Sequence, residues 1–255
     1  MPAVRALERL RAFLLNAVLA SAALAEPTTS VTTPGKVGGV NLSWGDCGAA
    51  GRSNLEFACS TDTTMQRLVA SYVAPAGVAG FLGLSAQLTV STSAALPDFW
   101  KHGADFCRGG TALASSFDFT RDSSCADFFY GGAVGGHAVI VGGVQAANRA
   151  TILLQCAVPL DSKGPLKEGR EYYAFALSFA APRAAAGDTC RGCEVPACIT
   201  LDQIQLFQPP EAHFDPILAK PSPRSHVTWQ GGPAACPGTP AVAGKPWGQV
   251  KTIHR

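Results

Sequence analysis

Charge is what this chain has least of. Only 15 % of its 255 residues are Asp, Glu, Lys or Arg, against about 25 % in an ordinary soluble domain. The small excess of +2 lies entirely in the first 25 residues, since setting aside Arg5, Arg9, Arg11 and Glu8 leaves 17 basic and 17 acidic side chains. No basic patch is on offer for a phosphate backbone, which excludes nucleic acid as a partner class. Sustained helical periodicity and internal repeats are missing too. After the first 25 residues no apolar run is long enough to cross a bilayer, so no membrane span is expected there.

Catalytic signatures are also scarce. Gly83-Leu84-Ser85-Ala86-Gln87 lacks the second glycine of a nucleophile elbow. The five histidines, at 102, 137, 213, 226 and 254, contain no H-E-x-x-H pair and read as surface residues. Gly131 to Gly136 lacks the G-K-[S/T] of a phosphate loop and reads as a tight β-connection. Asp118, Asp122 and Asp127 follow no calcium-loop spacing, and scattered acids beside a loop are ordinarily solvated. Among the 16 acids that follow Glu26 some pair will lie close enough to cleave a glycoside, but the pattern selects none. No catalytic residue, metal or cofactor is therefore predicted.

The chain begins with an export pattern. Arg5, Arg9 and Arg11 precede an apolar stretch from Ala12 to Ala25, and Ala23-Leu24-Ala25 has the small-residue form of a cleavage site. Residues 1–25 are read as a signal peptide and 26–39 as a flexible leader, followed by a β-sandwich domain over 40–208 and a Pro-rich tail over 209–255. That tail, with Gln208, holds nine of the 18 prolines. It cannot form a long helix, and it is expected to pack on the domain or be tethered to it.

Nine cysteines follow the signal, and export makes disulfides their default state. An odd number leaves at least one thiol over. Spacing suggests Cys47–Cys59 and Cys107–Cys125, with Cys190, Cys193, Cys198 and Cys236 in two pairs. A zinc site on the Cys190/Cys193/Cys198 spacing, completed by Cys236, His213 or His226, is the competing reading. Cys156 shares a strand face with Ile152, Leu154 and Val158 and is the candidate free thiol; an intermolecular bridge is its alternative.

Period-2 alternation supplies the fold class. Leu84, Ala86, Leu88 and Val90 alternate with Ser85, Gln87 and Thr89. Tyr173, Phe175, Leu177 and Phe179 are expected on one buried face, and Phe117 shares a face with Phe119. From Cys198 to Phe207 the parity changes between Leu201 and Ile204, which predicts a β-bulge near Asp202-Gln203. Eight or nine short strands with turn signals between them predict an all-β, antiparallel sandwich of jelly-roll type, with an open barrel as second choice.

Two aromatic stretches lie in loop-like settings, Asp98-Phe99-Trp100 and Phe128-Phe129-Tyr130. Asp98, Trp100, Phe128, Phe129 and Tyr130 are the candidate binding residues, because rings beside a polar group stack on sugars or peptides. The alternative is that the rings plug the ends of the sandwich. Asn41-Leu42-Ser43 also matches a glycosylation sequon.

Asn41-Leu42-Ser43-Trp44-Gly45-Asp46-Cys47, Phe57-Ala58-Cys59, Leu96-Pro97-Asp98-Phe99-Trp100 and Cys190-Arg191-Gly192-Cys193 through Cys198-Ile199 resemble stretches of a group of uncharacterised secreted bacterial proteins. Thr228-Trp229-Gln230-Gly231-Gly232 and Trp247-Gly248-Gln249-Val250-Lys251 look similar too, although His254 stands where an aromatic is the pattern. The resemblance spans nearly all of the chain after residue 25. It implies an exported single-domain protein and carries no activity. The expected role is that of a non-enzymatic module, secreted or in the cell envelope, that binds a glycan or an extracellular protein. A secreted hydrolase with paired carboxylates and a structural envelope component are the alternatives.

Overall fold

The alternation of Leu84 to Val90 becomes the two faces of a central strand, β4 (Gly83–Thr92), with the four apolar side chains buried and Ser85, Gln87 and Thr89 half-exposed. The computed structural model describes residues 39–60, 63–103, 105–106, 108–109, 112–141, 146–181, 190–212, 215–219, 224–232 and 236, all within one compact unit, Lys36–Arg255. The proposed signal peptide, all but Gly39 of the leader, Cys107 and the closing Trp247–Arg255 motif lie outside the described residues.

The remaining strands are β1 (Val40–Trp44), β2 (Asn54–Leu55), β3 (Met65–Val73), β5 (Leu113–Ser116), β6 (Val134–Val141), β7 (Arg149–Ala157), β8 (Glu171–Ala180), β9 (Ala197–Phe207), β10 (Ile217–Ala219) and β11 (His226–Trp229). They form a four-stranded sheet of order β1-β3-β8-β5 and a seven-stranded sheet of order β2-β11-β9-β4-β7-β6, with β10 on β9. Among these strands each pairing is antiparallel except that of β2 with β11. The protein is thus an all-β sandwich, and among the described residues helix is confined to three-residue 3₁₀ turns.

The bulge is where the parity change puts it. Gln87 pairs with Gln203 and Leu88 with Leu201, so Asp202 is the extra residue, and its carboxylate accepts a 2.6 Å hydrogen bond from Thr89 Oγ1. One inserted residue turns both Leu201 and Ile204 inward. A second bulge, invisible in the sequence, separates Ala70/Phe175 from Ser71/Tyr173. It corrects the expected face of β8. Phe175, Leu177 and Phe179 stay in the main core, while Tyr173 turns to the outer face and stacks on Phe119 at 4.3 Å. Phe119 is likewise separated from Phe117, because β5 ends at Ser116 and the chain crosses over the sheet edge.

Two further expectations are corrected. The sheet does not stop at residue 208: β10 and β11 extend it, and Trp229 on β11 is fully buried against Trp44, Phe57, Phe99, Trp100 and Phe179. The disulfides do not join cysteines close in sequence. Cys47 bonds Cys125, Cys59 bonds Cys193 and Cys198 bonds Cys236, so neither Cys47–Cys59 nor Cys107–Cys125 forms, and Cys193 leaves its local cluster. Cys190 is disulfide-bonded as well. With these thiols joined, the Cys190/Cys193/Cys198 spacing presents no thiolate set of the kind zinc takes. No helix among the described residues is long and apolar enough to cross a membrane. The disulfides fit an extracellular or envelope protein.

Candidate functional site

The two aromatic stretches do not come together. Asp98–Trp100 form a 3₁₀ turn that drives Phe99 and Trp100 into the core, where Trp100 lies 5.0 Å from Trp229 and 5.6 Å from Phe179. Asp98 stays exposed and pairs with Lys101 at 2.8 Å. Phe128 and Phe129 pack instead on Phe81, which touches Tyr72 and through it Tyr172. Phe179 and Tyr172 are seven residues apart on β8, roughly 23 Å of extended chain. The rings of Phe99, Trp100, Phe128 and Phe129 therefore close opposite ends of the sandwich, the alternative reading of these two stretches. Tyr130 alone is open, 80 % exposed and in the left-handed region at φ 46. Asn41 of the sequon is buried and donates to Glu171 at 2.8 Å.

A different set of residues converges at the Trp229 end. The parallel pairing of Thr228 with Asn54 and Trp229 with Leu55 lays the end of β11 beside the chain that leaves β2. Gln230 then sits at φ 54, a conformation costly for a residue with a Cβ. Its hydrogen bonds hold it there. The backbone N–H donates to Leu55 O at 2.7 Å, and the side-chain amide donates to Phe57 O at 2.9 Å and accepts from Phe57 N at 3.3 Å. Gln230 in this way extends the sheet with its side chain. Phe57 is set edge-on to Trp229 at 4.8 Å, and the Cys59–Cys193 bridge brings up the 190–194 loop.

The result is an open depression of 590 Å³ lined by Glu56, Phe57, Cys59, Glu194 and Gln230. A second hollow of 450 Å³ over the 190–194 loop shares Cys59 and Glu194 with it and adds Arg191. Glu56, Glu194 and Arg191 are exposed, and Phe57 is half-buried. An apolar ring, two carboxylates and an amide thus line the depression, with a guanidinium in the neighbouring hollow. Alternation could not reveal it, since Glu56 and Glu194 lie on unconnected loops. The available signals were Cys190-Arg191-Gly192-Cys193 and Gln230-Gly231-Gly232.

Other reactive groups are committed elsewhere. Ser115 Oγ lies 3.0 Å from His137 Nδ1, a serine–histidine contact across the two sheets that sequence spacing conceals. Among the described residues no carboxylate hydrogen-bonds His137, so the third member of a triad is missing. Burial lowers the His137 pKa. Asp118, Asp122 and Asp127 do not form an open ion cage. Asp122 makes a two-point contact with Arg67 at 2.8 Å, and Asp118 accepts from Thr120. Burial raises the Asp127 pKa, with like charge from Asp118 and Asp122 adding to it. Desolvation opposes ionisation of Asp46, but donation by Ser124, by the Cys47 N–H and by the Tyr173 hydroxyl outweighs it and lowers the Asp46 pKa. This network anchors the Cys47–Cys125 bridge on the outer face of the small sheet. Glu171 lies within 4.8 Å of both bridge sulfurs, which as a disulfide are not thiolate ligands.

Cys156 is free and buried beneath the large sheet. Burial pushes its thiol up to about 12. The expected outcome with an aromatic disulfide reagent at pH 8 is no reaction of Cys156 in the folded protein and full labelling after denaturation. Rapid labelling of Cys156 in the folded state, located by peptide mapping, would contradict its burial.

Comparison with models of known protein families and with curated proteins finds no match to either.

Proposed function

We propose that this is an exported, non-enzymatic binding module whose ligand is a glycan, seated in the depression formed by Glu56, Phe57, Glu194 and Gln230. The carrying observation is the convergence of the half-buried Phe57 ring with two exposed carboxylates in a 590 Å³ recess braced by a disulfide. Carboxylates accept hydrogen bonds from vicinal hydroxyls, while the ring covers the apolar face of a sugar. Secretion is part of the proposal, motivated by the amino-terminal export pattern and supported by the disulfides.

The test is a glycan array followed by calorimetry on the best hit. Glu194→Gln and Glu56→Gln change exposed side chains and are expected to weaken binding at least about tenfold while leaving the unfolding transition in place. Tyr130→Ala is expected to leave binding unchanged. Binding that is indifferent to both glutamates would remove the site. A hydrolase is the second reading, favoured by the one observation that both carboxylates face the same recess. Sugar release from a bound oligosaccharide, abolished in Glu194→Gln, would establish it in place of simple binding.

A further inference from the structure

Among the described residues five strands border the two sheets, and four of their edges are blunted. β2 has two residues, β10 three and β5 four. β1 is longer, but its outer groups are taken: Leu42 N donates to Arg224 O, and Trp44 exchanges both backbone hydrogen bonds with Arg52. β6 is the exception. It runs for eight residues, Val-Gly-Gly-His-Ala-Val-Ile-Val, without a charge or a proline. It pairs only with β7, and among the described residues its other edge receives no backbone hydrogen bond. Proteins ordinarily guard such an edge with a lysine, a proline or a bulge, because it is a template for a further strand. Val134 is 79 % and Ile140 42 % exposed, and Leu153 of β7 lies beside them at 37 %.

We infer that β6 pairs with β6 of a second copy of this chain, antiparallel and centred on His137, joining the two large sheets into one. Self-complementarity carries the choice of occupant. Val134, Gly136, Ala138 and Ile140 share the outer face of the sheet, since they pair with Ala157, Gln155, Leu153 and Thr151, which alternate along β7 with the core residues Cys156, Leu154 and Ile152. A two-fold axis at His137 sets Val134 opposite Ile140 of the other copy, twice, with Gly136 opposite Ala138 between them. Large apolar side chains thus cover each other and small ones fill the centre. No charge on β6 opposes its own copy. His137, tied to Ser115 Oγ at 3.0 Å, holds the middle of the strand against the other sheet. Eight residues give an edge of roughly 26 Å for the two copies to share.

Sedimentation velocity of the purified protein over a rising concentration series is the test. The wild type is expected to pass from monomer to dimer and no further. Val134→Lys with Ile140→Lys places like charges opposite each other and is expected to weaken the dimer at least about tenfold. Val134→Lys with Ile140→Glu places opposite charges opposite each other in this register and is expected to restore it. Both positions are solvent-facing, and circular dichroism checks that the variants fold. A monomer throughout the series overturns the inference, as does a dimer indifferent to both pairs of substitutions. Monomeric protein whose β6 amides are protected only by an added extended peptide also overturns it in favour of a different occupant.

Discussion

Replacing Cys59 and Cys193 together by alanine is expected to lower the unfolding free energy by between about 4 and 5 kcal/mol. The bridge spans 134 residues, and constraint of the unfolded chain grows with the loop closed. The Cys47–Cys125 bridge interlocks with it and shortens the effective loop: 12 residues lead from Cys59 back to Cys47, and 68 from Cys125 on to Cys193. A loop of 80 residues rather than 134 lowers the figure to about 4.5 kcal/mol, within that range. Domains of this kind are stable by about 5–15 kcal/mol, so the loss is a large share of the total. Guanidinium titration of the double variant measures it. A change below about 1 kcal/mol would mean that the unfolded chain is not restrained by this link. The same variant releases the 190–194 loop from Phe57, so the proposed binding should fall with stability. The two carboxylate-to-amide variants should lose binding alone.

Acid sensitivity is the second large effect, and it centres on His102. Burial, followed by the charge of Arg108, depresses its pKa from 6.5 to about 3. The residue is 3 % exposed, so solvent screens little of this. Arg108 is buried with it, 4.3 Å from the Phe99 ring and donating to Ala180 O. Above pH 6.5 the imidazole is neutral in both folded and unfolded chains, and its contribution is fully present. As pH falls from 6.5 towards 3, the unfolded chain takes up the proton first and stability is lost. Between pH 7 and pH 4 the expected loss from this group is about 3 kcal/mol. His102→Phe keeps the ring volume and removes the proton site. It should flatten the decline between pH 6.5 and 4. Asp46, held low, adds a loss only as pH falls through the carboxylate range, and Asp127, held high, opposes it there. An unchanged slope in His102→Phe would show that the histidine is protonated in the folded state.

His102 also shows where pattern reading stops. A histidine after an aromatic corner looks like a surface residue, yet the turn that buries Trp100 carries His102 in with it, 6.0 Å from Phe179. Trp100 and Phe129 were reasonable ligand contacts as isolated letters. Their burial follows from the open ends of a sandwich, which large rings close. The depression at Glu56 and Glu194 has the opposite history, unremarkable in sequence and assembled by a parallel strand pairing and a disulfide.

Local regularity was written in the chain. Two-residue alternation alone determined the strand character of β4, β7 and most of β9, including the extra residue at Asp202, because a strand's inward and outward faces follow residue by residue from the backbone. The count of cysteines determined that at least one must remain unpaired. Only the tertiary structure decided which cysteines meet, which face Tyr173 takes, that residues 226–229 supply β11 to the core, and that one long edge is left unguarded among the described residues. Each of these depends on which distant segments become neighbours, and hydrogen bonds and sulfur–sulfur bonds select partners by proximity in space, to which spacing along the chain is blind.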